Sequence, residues 1–130
     1  MVEKIEKTYT FPNGDQYVGK FKNDLSHGQG TMTYANGNQY VGEYVDGLKH
    51  GQGTMALSNG DQYAGEWKDG MRNGEGTYYY TEYGDQYVGE FKDGKKNGQG
   101  TYTYTNGVQN EGIWGEGIWG EDVFLYKNKV

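Results

Sequence analysis

The sequence contains no cysteine. Disulfides, thiolate metal sites and thiol nucleophiles are therefore excluded, and the residue usage of a small secreted scaffold is missing, which points to an intracellular chain. Hydrophobic residues are scarce at 33% of 130 residues, so a thick globular core is not expected. No apolar run approaches the roughly 20 residues that cross a bilayer. The opening Met1-Val2-Glu3-Lys4-Ile5-Glu6-Lys7 lacks the apolar centre of a signal peptide. No Asn-x-Ser/Thr acceptor occurs. Basic residues are outnumbered, 12 Lys and Arg against 18 Asp and Glu, and the formal charge of −6 disfavours nucleic acid as a partner.

What the chain has in abundance is glycine and tyrosine, 24 and 14 respectively. An aromatic content of 16% argues against disorder and makes the rings the main source of burial. They are placed periodically. Tyr40-Val41-Gly42-Glu43-Tyr44 runs into Asp46-Gly47 and then Gly51-Gln52-Gly53-Thr54. The same pattern starts at Tyr17, Tyr63 and Tyr87, with steps of 23, 23 and 24 residues. A fixed period of this size signals a repeat array.

Each unit reads as two strands. Tyr40, Gly42 and Tyr44 lie two apart and share one strand face. The glycine between the rings lowers strand propensity, so its expected role is to let a neighbouring repeat's ring lie against the backbone. Glu43, Glu66 and Glu90 fall on the opposite face, where cross-strand pairing with lysine is expected. Asp46 to Gly51 breaks the alternation and reads as a six-residue loop. Gly53, Met55 and Leu57 resume it on one face. Asn13-Gly14, Asn36-Gly37 and Asn59-Gly60 are expected to form type I′ turns. The junction Tyr79 to Asp85 has one residue more and no Asn-Gly, which predicts a longer turn or a bulge.

The domain reading is a polar lead-in over 1–7, a repeat array over 8–109, and an atypical C-terminal cap over 110–130. Within the array, 8–16 is a half repeat and full repeats start at 17, 40, 63 and 87. The cap opens with Asn110 in place of tyrosine and duplicates Glu111-Gly112-Ile113-Trp114-Gly115 as Glu116-Gly117-Ile118-Trp119-Gly120. One unit cannot offset its own ordering entropy with a few rings, so neighbours must share faces. The fold class is all-β: an extended, twisted, single-layer antiparallel meander of stacked β-hairpin repeats with a period of about 23.

Tyr-x-Gly-x-aromatic followed by Gly and Gly-x-Gly-Thr at this period resembles the MORN (membrane occupation and recognition nexus) repeat over residues 8–114. The departures are Asp24, where later copies have Gly47, Gly70 and Gly94, and Asn110. The resemblance implies an extended sheet of hairpins, and it implies several functions. Arrays of this kind associate with lipids, serve as cytoskeletal scaffolds, self-associate as rods, or hold a partner's helix in a groove. A cytoplasmic location, at the periphery of a membrane or of the cytoskeleton, is what the resemblance suggests.

Two sets of residues are candidate sites. Tyr17, Phe21, Tyr40, Tyr44, Tyr63, Trp67, Tyr87 and Phe91 make an aromatic face for a partner peptide or helix, or for a second copy. Lys49, Arg72, Lys95 and Lys96 recur at one loop position and are the alternative, a row for anionic lipid headgroups. Tyr- and Trp-rich glycine repeats also suit sugar stacking, a weaker third reading. An enzyme is the least favoured class, and neither a cofactor nor a metal is expected. His27 and His50 stand where other repeats carry Asn73 and Asn97, so they read as turn residues. Gly115, Gly117 and Gly120 match a dinucleotide-binding pattern in spacing alone, without its flanking strand and helix. The Asn-Gly-Asp corners offer one carboxylate each, too few for calcium.

Overall fold

The computed structural model describes residues 5–118 and 120–128. Eleven strands form one antiparallel sheet in chain order. They are β1 (Ile5–Thr10), β2 (Gln16–Lys22), β3 (Leu25–Thr33), β4 (Gln39–Val45), β5 (Leu48–Ala56), β6 (Gln62–Lys68), β7 (Met71–Tyr80), β8 (Asp85–Lys92), β9 (Lys95–Thr103), β10 (Gln109–Glu116) and β11 (Asp122–Lys127). Every strand pairs only with its sequence neighbours, so β1 and β11 are open edges and the fold is the expected meander. The last residues of the polar lead-in belong to this sheet, since Ile5, Glu6 and Lys7 pair with Phe21, Lys20 and Gly19. Residues 1–4 of that lead-in lie outside the described residues.

The stretch read as a six-residue loop is mostly strand. Val45 pairs with Leu48, so only Asp46 and Gly47 turn the chain. Both have positive φ, 48° and 86°, which is the type I′ geometry. Asp69-Gly70 and Asp93-Gly94 repeat it, and Asn23-Asp24 makes the same turn without glycine at φ 52° and 63°. Asp24 therefore leaves the first corner intact. The alternation breaks for another reason: between the pairs Gly42–Gly53 and Tyr44–Lys49, one residue of β4 faces three of β5. Glu43 reaches across this bulge and accepts the Gln52 amide at 2.7 Å. Glu66 and Glu90 accept from Glu75 and Gln99 in the same way. The glutamates thus secure an irregular backbone rather than pairing with lysines on an open face.

The Asn-Gly corners are not type I′. Gly37 has φ 96°, but Asn36 does not have positive φ. Gly37 donates to the Tyr34 carbonyl at 2.9 Å and Tyr34 to the Asn38 carbonyl at 2.8 Å, a three-residue loop closed by a left-handed glycine. Asparagine serves here through its side chain: Asn36 Oδ1 accepts the Asn38 amide at 2.9 Å. The junction after Tyr80 is longer, as its extra residue implies. Tyr80 pairs with Asp85, and Gly84 donates to the Tyr80 carbonyl at 2.9 Å.

Both rows of corners tie each repeat to the next. Asp15, Asn38, Asp61 and Asp85 accept the backbone amides of Ala35, Ser58, Thr81 and Thr105 at 2.8–3.0 Å. On the opposite edge, Gly47, Gly70 and Gly94 donate to the carbonyls of Ser26, Lys49 and Arg72, each at 2.9 Å. The corner carboxylates are therefore already engaged by amides.

The C-terminal unit begins in the register of a repeat. β10 keeps the register of a repeat, with Gly112 opposite Gly100 and Trp114 opposite Gly98. The second copy of the duplicated segment makes a corner, in which Gly120 donates to the Gly117 carbonyl and Gly117 to that of Glu121. Trp119 lies outside the described residues.

Candidate functional site

One sheet face carries the leading tyrosine of every repeat, its glycines and the second aromatic. Tyr40 donates its hydroxyl to the Glu43 carbonyl at 2.9 Å. In doing so its ring crosses Gly53, the glycine opposite Gly42. Tyr17, Tyr63 and Tyr87 do the same over Gly30, Gly76 and Gly100, donating to the carbonyls of Lys20, Glu66 and Glu90 at 2.8–3.0 Å. The ring against the backbone thus belongs to the same repeat. This departs from the expectation of a neighbour's ring, because the tyrosine must reach its own strand's carbonyl three residues on.

The neighbour meets this ring at nearly a right angle. Tyr40 meets Tyr44 at 5.2 Å and Trp67, from the next repeat, at 5.3 Å, both near perpendicular. The same contacts link Phe21, Tyr17 and Tyr44, then Trp67, Tyr63 and Phe91, then Phe91, Tyr87 and Trp114. The result is one unbroken edge-to-face ladder from Phe21 to Trp114, and each contact adds about 0.5–1.5 kcal/mol beyond burial. Trp67 and Trp114 also donate their indole N–H to the carbonyls of Gly53 and Gly100, at 3.0 and 3.2 Å.

This ladder is the core. Tyr17, Tyr40, Tyr63 and Tyr87 are at most 2% exposed, and Tyr44, Trp67, Phe91 and Trp114 at most 7%. Of the eight rings expected to lie open to a partner, only Phe21 is even half-buried. They close on one another because every tyrosine has an aromatic neighbour on both sides. What remains accessible on this face is the row toward the Asn-Gly corners: Met32, Tyr34, Met55, Leu57, Tyr80 and Tyr102, all partly buried against the ladder. Sequence reasoning passed over this row, although its alternation with Thr31, Thr33 and Thr54 was the available signal. Burial pushes the phenols of Tyr40, Tyr44 and Tyr87 well above the ordinary tyrosine value and raises Tyr63 and Tyr78 to about 12. The Tyr44 hydroxyl is buried and, among the described residues, has no hydrogen-bond partner.

The basic residues do not stand in an outward row. Lys49 places its ammonium over Tyr34, Tyr40 and Trp67 at 5.5–5.7 Å and donates to the Tyr34 hydroxyl at 3.2 Å. The Arg72 guanidinium lies over Tyr63, Tyr78 and Phe91 at 5.3–5.6 Å and donates to the Gly94 carbonyl. Lys96 is 8% exposed, over Tyr80, Tyr87 and Trp114 at 5.5–5.7 Å. It also pairs with Asp122 at 3.3 Å. Each cation fills a cage of three rings drawn from adjacent repeats. Lys95 alone of the four is exposed, and its ammonium donates to the Gly120 carbonyl.

Comparison with known protein families matches the MORN repeat at residues 8–16, 17–39, 40–62, 63–84 and 87–109. The chain belongs to the MORN repeat family. Four of the matched segments of this MORN array each begin at a ladder tyrosine, and the first, 8–16, takes in the end of β1 and the corner before β2. No curated protein matches the MORN chain. Among its described residues no group of three or more His, Cys, Asp or Glu is placed to hold a metal ion. No helix among the described residues is long and apolar enough to cross a membrane.

Proposed function

We propose that this MORN array is a non-catalytic interaction scaffold that holds a protein partner, a peptide or a helix, along its aromatic side. The observation that carries the reading is the row Met32, Met55, Leu57, Tyr80 and Tyr102. These side chains rest on the ladder from one side and, among the described residues, no second layer covers them. An apolar strip on a sheet face is what an amphipathic helix or an extended peptide uses. The contact surface is this strip rather than the buried rings beneath it. Self-association by strand addition at β1 or β11 is the other route by which an open sheet scaffolds.

Attraction of anionic lipid through Lys49, Arg72, Lys95 and Lys96 is the weaker reading, since three of these cations face inward onto rings. The test is capture of partners by the intact chain and by a variant with Met55, Leu57 and Tyr80 replaced by serine, run beside flotation with anionic vesicles. Partners lost on substitution and no flotation support the proposal. Capture unchanged by the three substitutions, or salt-resistant flotation, overturns it.

A further inference from the structure

Three repeats carry a cation over their rings from the same strand position; the first has none at that position. The register held by Lys49, Arg72 and Lys96 is occupied in β3 by Ser26, which pairs with Phe21 as Lys49 pairs with Tyr44. Shifting the Lys49 cage back by one repeat turns Tyr34, Tyr40 and Trp67 into Phe11, Tyr17 and Tyr44. A cavity of about 490 Å³ opens beside this position, lined by Phe11, Tyr17, Phe21, Ser26 and Met32, with Asp24 and Lys7 at its wall, while Tyr44 is not part of its lining. We propose that this cavity is a binding site for a basic side chain, the ammonium of a lysine carried by a partner polypeptide. The inference rests on the scaffold reading above and names the chemistry its partner presents.

The argument is an internal one. The same fold places the same kind of ring cage around a cation three times in this chain, so the geometry suits an ammonium or a guanidinium. Ser26 brings no charge to this position, and the rings that a ligand in the cavity would meet are Phe11 and Phe21, Tyr17 being buried beneath them. Asp24 and the net charge of −6 favour an incoming cation over an anion or a neutral apolar group. Lys7 shows that these rings attract charge, since its ammonium sits 4.6 Å from the Phe21 centroid. It touches that ring alone and is exposed, unlike Lys49, Arg72 and Lys96 with three rings each.

The test is an NMR titration of the intact chain with a capped glycine-lysine-glycine peptide, using the norleucine peptide as the uncharged control. Shifts centred on Phe11, Tyr17 and Phe21, with the lysine peptide about tenfold tighter, are expected. Ser26→Lys should abolish them by filling the cage internally, as Lys49 does one repeat later. Ser26→Met is a second blocked chain with no added charge. Lys7→Met should tighten binding by removing a like charge at the cavity wall. Equal affinity for the norleucine peptide, undiminished binding by Ser26→Lys, weaker binding by Lys7→Met, or no saturable shift would each overturn the proposal. The strip substitutions Met55, Leu57 and Tyr80 leave this cavity intact, so failure of the scaffold reading and failure of the cage are told apart.

Discussion

Tyr40 crosses Gly53 so closely that a Cβ on that glycine would stand 2.2 Å from the phenolic oxygen and 2.4 Å from Cζ. The ring cannot swing away, because its hydroxyl is held by the Glu43 carbonyl and its edges by Tyr44 and Trp67. Gly53→Ala is therefore expected to destabilise by about 3 kcal/mol or more, the upper range of overpacking a closed site. Gly94→Ala is the control. Nothing lies within 4 Å of a Cβ there, and only its φ of 85° opposes a side chain. A cost of about 1–2 kcal/mol is expected for that strain alone. Urea unfolding of both variants separates collision with a ring from backbone conformation.

The second aromatic register accepts Phe21, Tyr44, Trp67, Phe91 and Trp114. Trp67→Phe should consequently keep the ladder and cost about 1 kcal/mol, partly through loss of the bond to Gly53. Trp67→Ala removes the ring that joins Tyr40 to Tyr63 and should cost about 3–5 kcal/mol. The difference between the two midpoints measures the link between consecutive repeats.

Glu43, Glu66 and Glu90 hold the bulge amides of the later repeats, whereas β2 has Lys20 at that place. Lys20→Glu is expected to stabilise by about 0.5–1.5 kcal/mol by giving Gln29 N–H a carboxylate partner. Glu66→Ala should destabilise by about 1–3 kcal/mol for the opposite reason. Thermal unfolding of the pair checks both signs.

Stability should fall at alkaline pH. Burial raises Tyr63 and Tyr78 to about 12 in the folded chain, while an unfolded tyrosine titrates near about 10. A raised folded value means that the protonated phenol is favoured by folding. Its contribution is fully present below about pH 10 and is lost as pH climbs through the folded value. Denaturant midpoints should hold steady up to about pH 10 and drop between about 10 and 12, with tyrosinate absorbance and loss of strand signal rising together. Ordinary, non-cooperative phenol titration with the sheet intact would speak against this.

The repeat, its strands and the sheet order were legible because Tyr-x-Gly-x-aromatic recurs with little change. Two local geometries were not. Asp46-Gly47 and Asn36-Gly37 both look like hairpin corners, yet Asn36 keeps a negative φ and closes a three-residue loop with its side chain. The stretch from Leu48 to Gly51 looked like loop because the bulge at His50 to Gln52 interrupts period-two alternation as a loop does. The site was less legible still. That Tyr40 has Tyr44 on one side and Trp67 on the other depends on the stagger between repeats. The sequence alone therefore left open whether these rings faced a partner or each other. The inward turn of Lys49 and Lys96 follows from the same stagger, which brings Tyr34 and Tyr80 beside them.

The most direct measurement is hydrogen exchange at the indole protons of Trp67 and Trp114. If the aromatic ladder is the core, both are buried and bonded to the carbonyls of Gly53 and Gly100. They should then exchange slowly and lose protection together when the array opens. Exchange of the Trp67 indole at the rate of a free tryptophan would contradict the account, because that ring would be facing solvent.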